Sequence, residues 1–216
     1  MSSTAFARPI VHIEPHWADV ASESEIKSTV AALREHGFEV QVVDDEAAAR
    51  KAVFALIPEG SEVHQGSSTT LDQIGVTAEV NSSDRYSAVR PRIFSMDRAT
   101  QADEIRKLMS APEYMLGSVH AVTQTGSLVT ASMSGSQLGP YASGAGKVIV
   151  VAGTNKIVSD LDEAFRRVEE HSLPLEDARA REAYGMGSSI NKLLVVNTEI
   201  TPGRTTVILV RESLGF

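Results

Sequence analysis

The run Lys147-Val148-Ile149-Val150-Val151-Ala152-Gly153-Thr154-Asn155-Lys156 decides how this chain is read. Its four consecutive Val/Ile residues leave no face for solvent. A strand that is apolar on both sides belongs inside a parallel sheet covered on both faces. Gly153 to Lys156 then lies at the carboxyl end of that strand, where open α/β sheets bind their ligands. Asn155 and Lys156 are candidate ligand contacts there, and a solvent-facing lysine in a turn is the alternative for Lys156.

The segments around this strand repeat a strand–helix rhythm. Ser22 followed by Glu25 is a capping-box signature, and Ile26, Val30 and Leu33 recur at helical spacing before Gly37 stops the helix. Phe38 to Val43 alternates as a strand, and Asp44 and Asp45 cap a second helix through Ala55. Glu62 to His64 is a short strand, and a helix opens at Thr70. Asn81 to Phe94 is polar and mixed, and Thr100 to Ser110 reads as a helix. Val119 to Thr123 and Leu128 to Ser132 read as strands joined at Gly126. Asp160 to His171 is a capped helix, and Pro174 to Tyr184 is another. Leu193 to Val196 and Thr205 to Val210 close the chain as strands, with Pro202-Gly203 turning between them. The expected fold is α/β: a parallel-rich sheet with helices on both faces. Residues 1–21 read as an irregular arm that packs Trp17 on the domain or on a second copy, and residues 22–216 as one domain.

Composition narrows the function classes. The chain has 216 residues, a net charge of -8 and no cysteine. Disulfides, thiol nucleophiles, and Fe–S or Cys-zinc ligation are therefore excluded. The acidity argues against nucleic acid as a partner. Arg85, Arg90, Arg92, Arg98, Arg106 and Lys107 form a loosely basic middle, read as a solvated face or an anion-collecting rim. No apolar run reaches the ~18 residues of a membrane span, and Met1 to Pro9 lacks the apolar stretch of a signal peptide. A cytoplasmic chain with no membrane partner is expected, and a homo-oligomer is compatible with the sequence.

The loops carry the chemistry. In Gly66-Ser67-Ser68-Thr69 a glycine permits close backbone approach, and hydroxyls precede a helix start. This suits both a helix cap and a phosphate or carboxylate cradle, and the two are compatible. The loop lacks the second glycine and the lysine of a Walker A loop and the spaced glycines of a dinucleotide fingerprint. Gln124-Thr125-Gly126-Ser127 is a hairpin turn or a ligand contact, and Gly135-Ser136-Gln137 extends the same hydrogen-bonding composition. His12 and His16 are a weak metal pair, because Pro15 intervenes. Arg179 and Arg181 pair with Glu176, Asp177 and Glu182 on a helix face, with a carboxylate grip as the alternative. No nucleophile–base–acid set follows from spacing.

Several stretches resemble the LUD (lactate utilisation) domain family. They are His120-Ala121-Val122-Thr123 before Thr125-Gly126-Ser127-Leu128, the run Val150 to Val158 through Gly153-Thr154-Asn155-Lys156, and the helix Asp160-Leu161 to Arg167. Gly66-Ser67-Ser68-Thr69 with Ile74-Gly75 also fits. The resemblance implies a fold of the NagB/RpiA/CoA-transferase-like group. It implies a part in oxidising L-lactate to pyruvate beside partner subunits that carry Fe–S clusters, and no cofactor on this chain itself. A small anionic ligand is the expected binding partner. Many relatives carry Glu where this chain has Gln124, and Gly-x-Arg where it has Gly135-Ser136-Gln137. The other readings are a stand-alone isomerase or CoA-transferase-like enzyme on a phosphorylated or acyl substrate, and a non-catalytic sensor or partner-binding module.

Overall fold

A computed structural model describes residues 15–216. The expectations for Met1 to Pro9, His12 and the start of the arm lie outside the described residues. A short 3-10 turn at Pro15–Ala18 seats Trp17 in a buried position on the domain. Helix α1 (Glu23–Glu35) starts on the complete Ser22/Glu25 capping box. Gly37, at φ +84°, ends it. Strand β1 (Glu39–Val43) leads to α2 (Glu46–Ala55), whose N-cap Asp45 accepts from the Ala48 amide. Next come β2 (Glu62–Gln65), α3 (Thr69–Gln73) and α4 (Val76–Ser82). The stretch read only as polar and mixed folds into β3 (Ser87–Ala88) and α5 (Val89–Ser95). Helix α6 (Ala102–Ser110) precedes β4 (Tyr114–Gly117), a central strand that the pattern did not announce.

Strands β5 (Ala121–Thr123) and β6 (Leu128–Ser132) form the hairpin. A π-helical turn at Pro140–Gly144 then leads into β7 (Lys147–Gly153). After β8 (Ile157–Val158), α7 (Leu161–Arg167) is capped by Asp160 and runs through a π-helical turn at Val168–Ser172 into α8 (Leu173–Tyr184). Strands β9 (Lys192–Val196) and β10 (Thr205–Val210) complete the chain.

Six strands make one wholly parallel sheet in the order β1-β10-β7-β4-β2-β3. Along β7 the side chains alternate between two dry faces. Ile149 and Val151 pack with Ala49, Val53, Leu71 and Val80 of α2, α3 and α4. Val148, Val150 and Ala152 pack with Leu33 of α1, Val122, Leu128 and Tyr141. Most of that second face is covered by a four-stranded sheet, β8-β5-β6-β9, whose outer side carries α7 through Ala164 and its following turn through Val168. The second sheet was not expected: β9 and β10 read as neighbours joined by a turn, yet they belong to different sheets.

A buried ion pair fixes one connection against this core. The Arg204 guanidinium meets Glu199 at 2.8 Å. It also donates to the carbonyls of Pro140, Tyr141 and Ala145 at 2.8–3.2 Å. Glu199 is further held by the Thr201 amide and the Thr205 hydroxyl. Arg204 thereby clamps the π-helical turn that delivers Tyr141 to the core.

Candidate functional site

Neighbouring strands of a parallel sheet end on the same side, so their carboxyl-end loops converge. In the order β7-β4-β2, those loops are Thr154–Lys156, Ser118–His120 and Gly66–Ser68. They meet the open end of the β5–β6 hairpin and α8 around a cavity of about 270 Å³.

The wall of this cavity is a network of hydroxyls around a lysine. Lys156 is 1% exposed, and its Nζ donates to the Thr70 and Ser118 hydroxyls, each at 3.0 Å. Thr70 Oγ1 lies 3.5 Å from the Leu214 carbonyl and 3.3 Å from Ser118 Oγ. Ser118 Oγ donates to the Val119 carbonyl at 3.3 Å. Gly215, at φ +61°, leaves room for this group, since a Cβ there would stand 2.3 Å from Thr70 Oγ1. Among the described residues no carboxylate pairs with Lys156. Burial drives its pKa well below the lysine range, and the Arg167 charge adds to the effect.

Arg167 is fully buried and also lacks an acidic partner among the described residues. It donates to the carbonyls of His120 and Trp17 and to the Ser172 hydroxyl. His120 lines the cavity and is half-buried. Its Nδ1 accepts the Ala131 amide at 3.1 Å, so the neutral ring carries its proton on Nε2. Protonating Nδ1 would break that bond. Burial first, then Lys156 and Arg167, hold the His120 pKa down to about 3. At the mouth, Arg90 donates to Ser67 at 3.2 Å, and Arg179 grips Glu176 at 2.7 Å through two bonds. The Tyr184 hydroxyl joins Arg179 and Ser67.

A model of the LUD domain matches residues 26–210 of the chain. The chain belongs to the LUD domain family. A crystal structure of a DUF162 family protein from Deinococcus radiodurans shares the fold of this LUD domain. It has 14% identity and a TM-score of 0.51, and the match covers 89% of this chain and 99% of that one. A ribose 5-phosphate isomerase from Plasmodium falciparum aligns more loosely, at 10% identity and a TM-score of 0.37 over 79% of this chain and 95% of that one. No curated protein matches this LUD domain.

The cavity of this LUD domain gathers some of the residues proposed from sequence and leaves others outside. Gly66, Ser67, Ser68, Thr69, Ser136, Gln137 and Lys156 line it. Gly66 abuts Gln137, so those two loops form one wall. Ser68 spends its hydroxyl capping α3 through the Leu71 amide. Gly135 turns at φ +86° beneath Lys192, outside the lining, and Asn155 accepts the Leu214 amide instead of facing a ligand.

The turn Gln124-Thr125-Gly126-Ser127 is not at the cavity. It packs on α1: Gln124 donates to Glu25 at 3.4 Å, Gly126 sits against Ala32 and His36, and Ser127 donates to Asn197. A hairpin has two ends, and the one facing the ligand space is its open end, His120 and Ser132. Gln124 in place of glutamate thus says nothing about chemistry in this cavity. Ser118, His120, Tyr141 and Arg167 were not proposed as site residues, because no spacing rule joins residues from three separate loops and helices. Among the described residues no group of His, Asp and Glu forms a metal-ligand set.

The neutral histidines give this LUD domain an acid liability. His120 near 3 and His64 near 4 both lie below the ordinary 6.5, His64 through burial and then the Arg90 charge. The unfolded chain takes up protons below 6.5 that the native protein refuses. Their stabilisation is therefore complete above pH 6.5 and is lost as the pH falls toward 4, by about 1.4 kcal/mol per pH unit for each histidine. Urea melts across that range should show the decline, and a flat profile would contradict it.

Proposed function

We propose that this LUD-domain chain acts in lactate utilisation as the subunit that holds a small carboxylate anion. In this reading electrons leave through Fe–S partner subunits, since a chain without cysteine has no thiolates for a cluster. The observation that supports it most directly is the buried Arg167 cation, with no acidic partner among the described residues, behind a hydroxyl-lined cavity that Lys156 also lines. An anion that enters supplies the missing negative charge in a region of low dielectric, where such contacts are strong. The Ser67 hydroxyl and the Gly66 backbone orient it, and Arg90 and Arg179 attract it at the mouth.

L-Lactate and pyruvate should bind in calorimetry, and Lys156→Met should weaken binding about 10- to 100-fold, from the ~1.5–3 kcal/mol of one hydrogen bond to a charged group. Equal affinity in the variant would remove the ligand from this cavity. Deleting the gene should impair growth on lactate in a host with no second route.

A second reading, an enzyme on a phosphorylated or acyl substrate, is favoured by the cavity volume of about 270 Å³, near the lower bound for drug-sized ligands. A sugar phosphate that outcompeted lactate would support it. Turnover by the purified chain would exclude a purely sensing module.

A further inference from the structure

Lys156 is placed for more than holding a charge. Both hydroxyls that receive its hydrogen bonds have acceptors of their own. Ser118 Oγ donates to the Val119 carbonyl, and Thr70 Oγ1 has the Leu214 carbonyl and Ser118 Oγ within reach. Their protons are thus directed away from Lys156, and their lone pairs are turned toward it. A neutral amine fits this arrangement fully: two N–H groups meet two acceptors, at 3.0 Å each, and the nitrogen lone pair is left over. An ammonium would leave a third N–H without an acceptor among the described residues, next to the Arg167 cation, which is costly in a buried site. The desolvated amine also lines the ligand cavity, as does His120, whose ring keeps a proton on Nε2. An amine desolvated beside another cation is the arrangement that activates lysine as a nucleophile toward carbonyl groups.

We propose that Lys156 forms a covalent imine with a small 2-oxo carboxylate, the carbonyl compound that oxidation of a 2-hydroxy acid yields. This rests on the reading of the cavity as a carboxylate site. The Lys156 Nζ lone pair attacks the carbonyl carbon and forms a C–N bond. The carbonyl π pair moves to oxygen, which takes the first Nζ proton to give a carbinolamine. The second Nζ proton leaves with that oxygen as one water molecule, and C=N replaces C=O. No electrons enter or leave. His120 Nε2–H donates a hydrogen bond to the oxygen as its negative charge develops, and the carboxylate lies in the field of Arg167. A 2-hydroxy acid binds in the same place without reacting, because it has no carbonyl.

The test is reductive trapping. The full chain is incubated with pyruvate and cyanoborohydride at neutral pH and then mapped by peptide mass spectrometry. A single reduced adduct is expected on the peptide that carries Lys156, with little on the exposed Lys51 and Lys107. L-Lactate should suppress it, and Lys156→Met, which keeps the length of the side chain without a charge, should abolish it in a chain that still melts cooperatively. Equal labelling of Lys51, Lys107 and Lys156 would overturn the proposal. So would pyruvate and lactate shifting the melting temperature with no adduct on Lys156, and that outcome would leave the carboxylate site standing. An adduct on Lys156 that lactate does not suppress would keep the imine and overturn the lactate site.

Discussion

Replacing Arg204 with Met should lower the stability of the fold by about 3–5 kcal/mol, the range measured when one partner of a buried ion pair is removed. Glu199 would stay buried at 9% exposure with its main counter-charge gone. The carbonyls of Pro140, Tyr141 and Ala145 would lose their donor together. For a chain of this length each kcal/mol shifts the melting temperature by about 2–4 °C, so a drop of roughly 10 °C is expected in calorimetry. Removing both partners, Arg204→Met with Glu199→Leu, should recover part of the loss, because an apolar pair leaves no stranded charge. A single variant that melts with the parent would show that the π-helical turn holds its place without the clamp.

Gly117→Ala should cost about 2–3 kcal/mol, as overpacking of a filled core does, and should also abolish ligand binding. An added Cβ would stand 1.6 Å from the Tyr141 hydroxyl oxygen and 2.9 Å from its ring carbon. Tyr141 cannot yield cheaply: it is 6% exposed, and its hydroxyl donates to the Ser118 carbonyl at 3.2 Å. Pushing the ring away releases Ser118, and Ser118 holds Lys156. Chemical denaturation measures the first effect and calorimetry with pyruvate the second. A folded variant that binds pyruvate as tightly as the parent would break the proposed link from β4 to the lysine. Since Arg204 and Gly117 both act through Tyr141, the double variant should lose less than the sum of the two single losses.

What could be read from sequence was local. The Ser22/Glu25 box, the Asp45 and Asp160 caps and the dry run of β7 each announce themselves within a few residues, because their physics is confined to one turn or one strand. β4 escaped because Tyr-Met-Leu-Gly is too short to show a period, yet it sits between β7 and β2 at the centre of the sheet. The second sheet escaped because pairing between β6 and β9, some sixty residues apart, leaves no local trace.

The site shows the same division. Gly66 to Thr69 and Lys156 are legible as strand-end loops, whereas Gln124 to Ser127 forms the turn end of the hairpin, on α1 and away from this cavity. The three residues of β5 span about 10 Å at ~3.3 Å each, which is enough to separate His120 in the cavity from Gln124 on α1. The family motif contained His120, but only the fold sets its ring against the Ala131 amide and its carbonyl on Arg167.

The hydroxyls around Lys156 have one further consequence, for proton traffic. Ser118 passes its hydrogen to the Val119 carbonyl, and Thr70 has its own toward the Leu214 carbonyl or toward Ser118. A relay that ends on backbone carbonyls is a cul-de-sac, because an amide oxygen cannot hand a proton onward at neutral pH. Among the described residues, Lys156 therefore has no exit for a proton through the hydroxyls behind it. Every proton it gains or gives must cross the cavity, so the ligand and His120 set the rate of exchange, and filling the cavity isolates the lysine from bulk water.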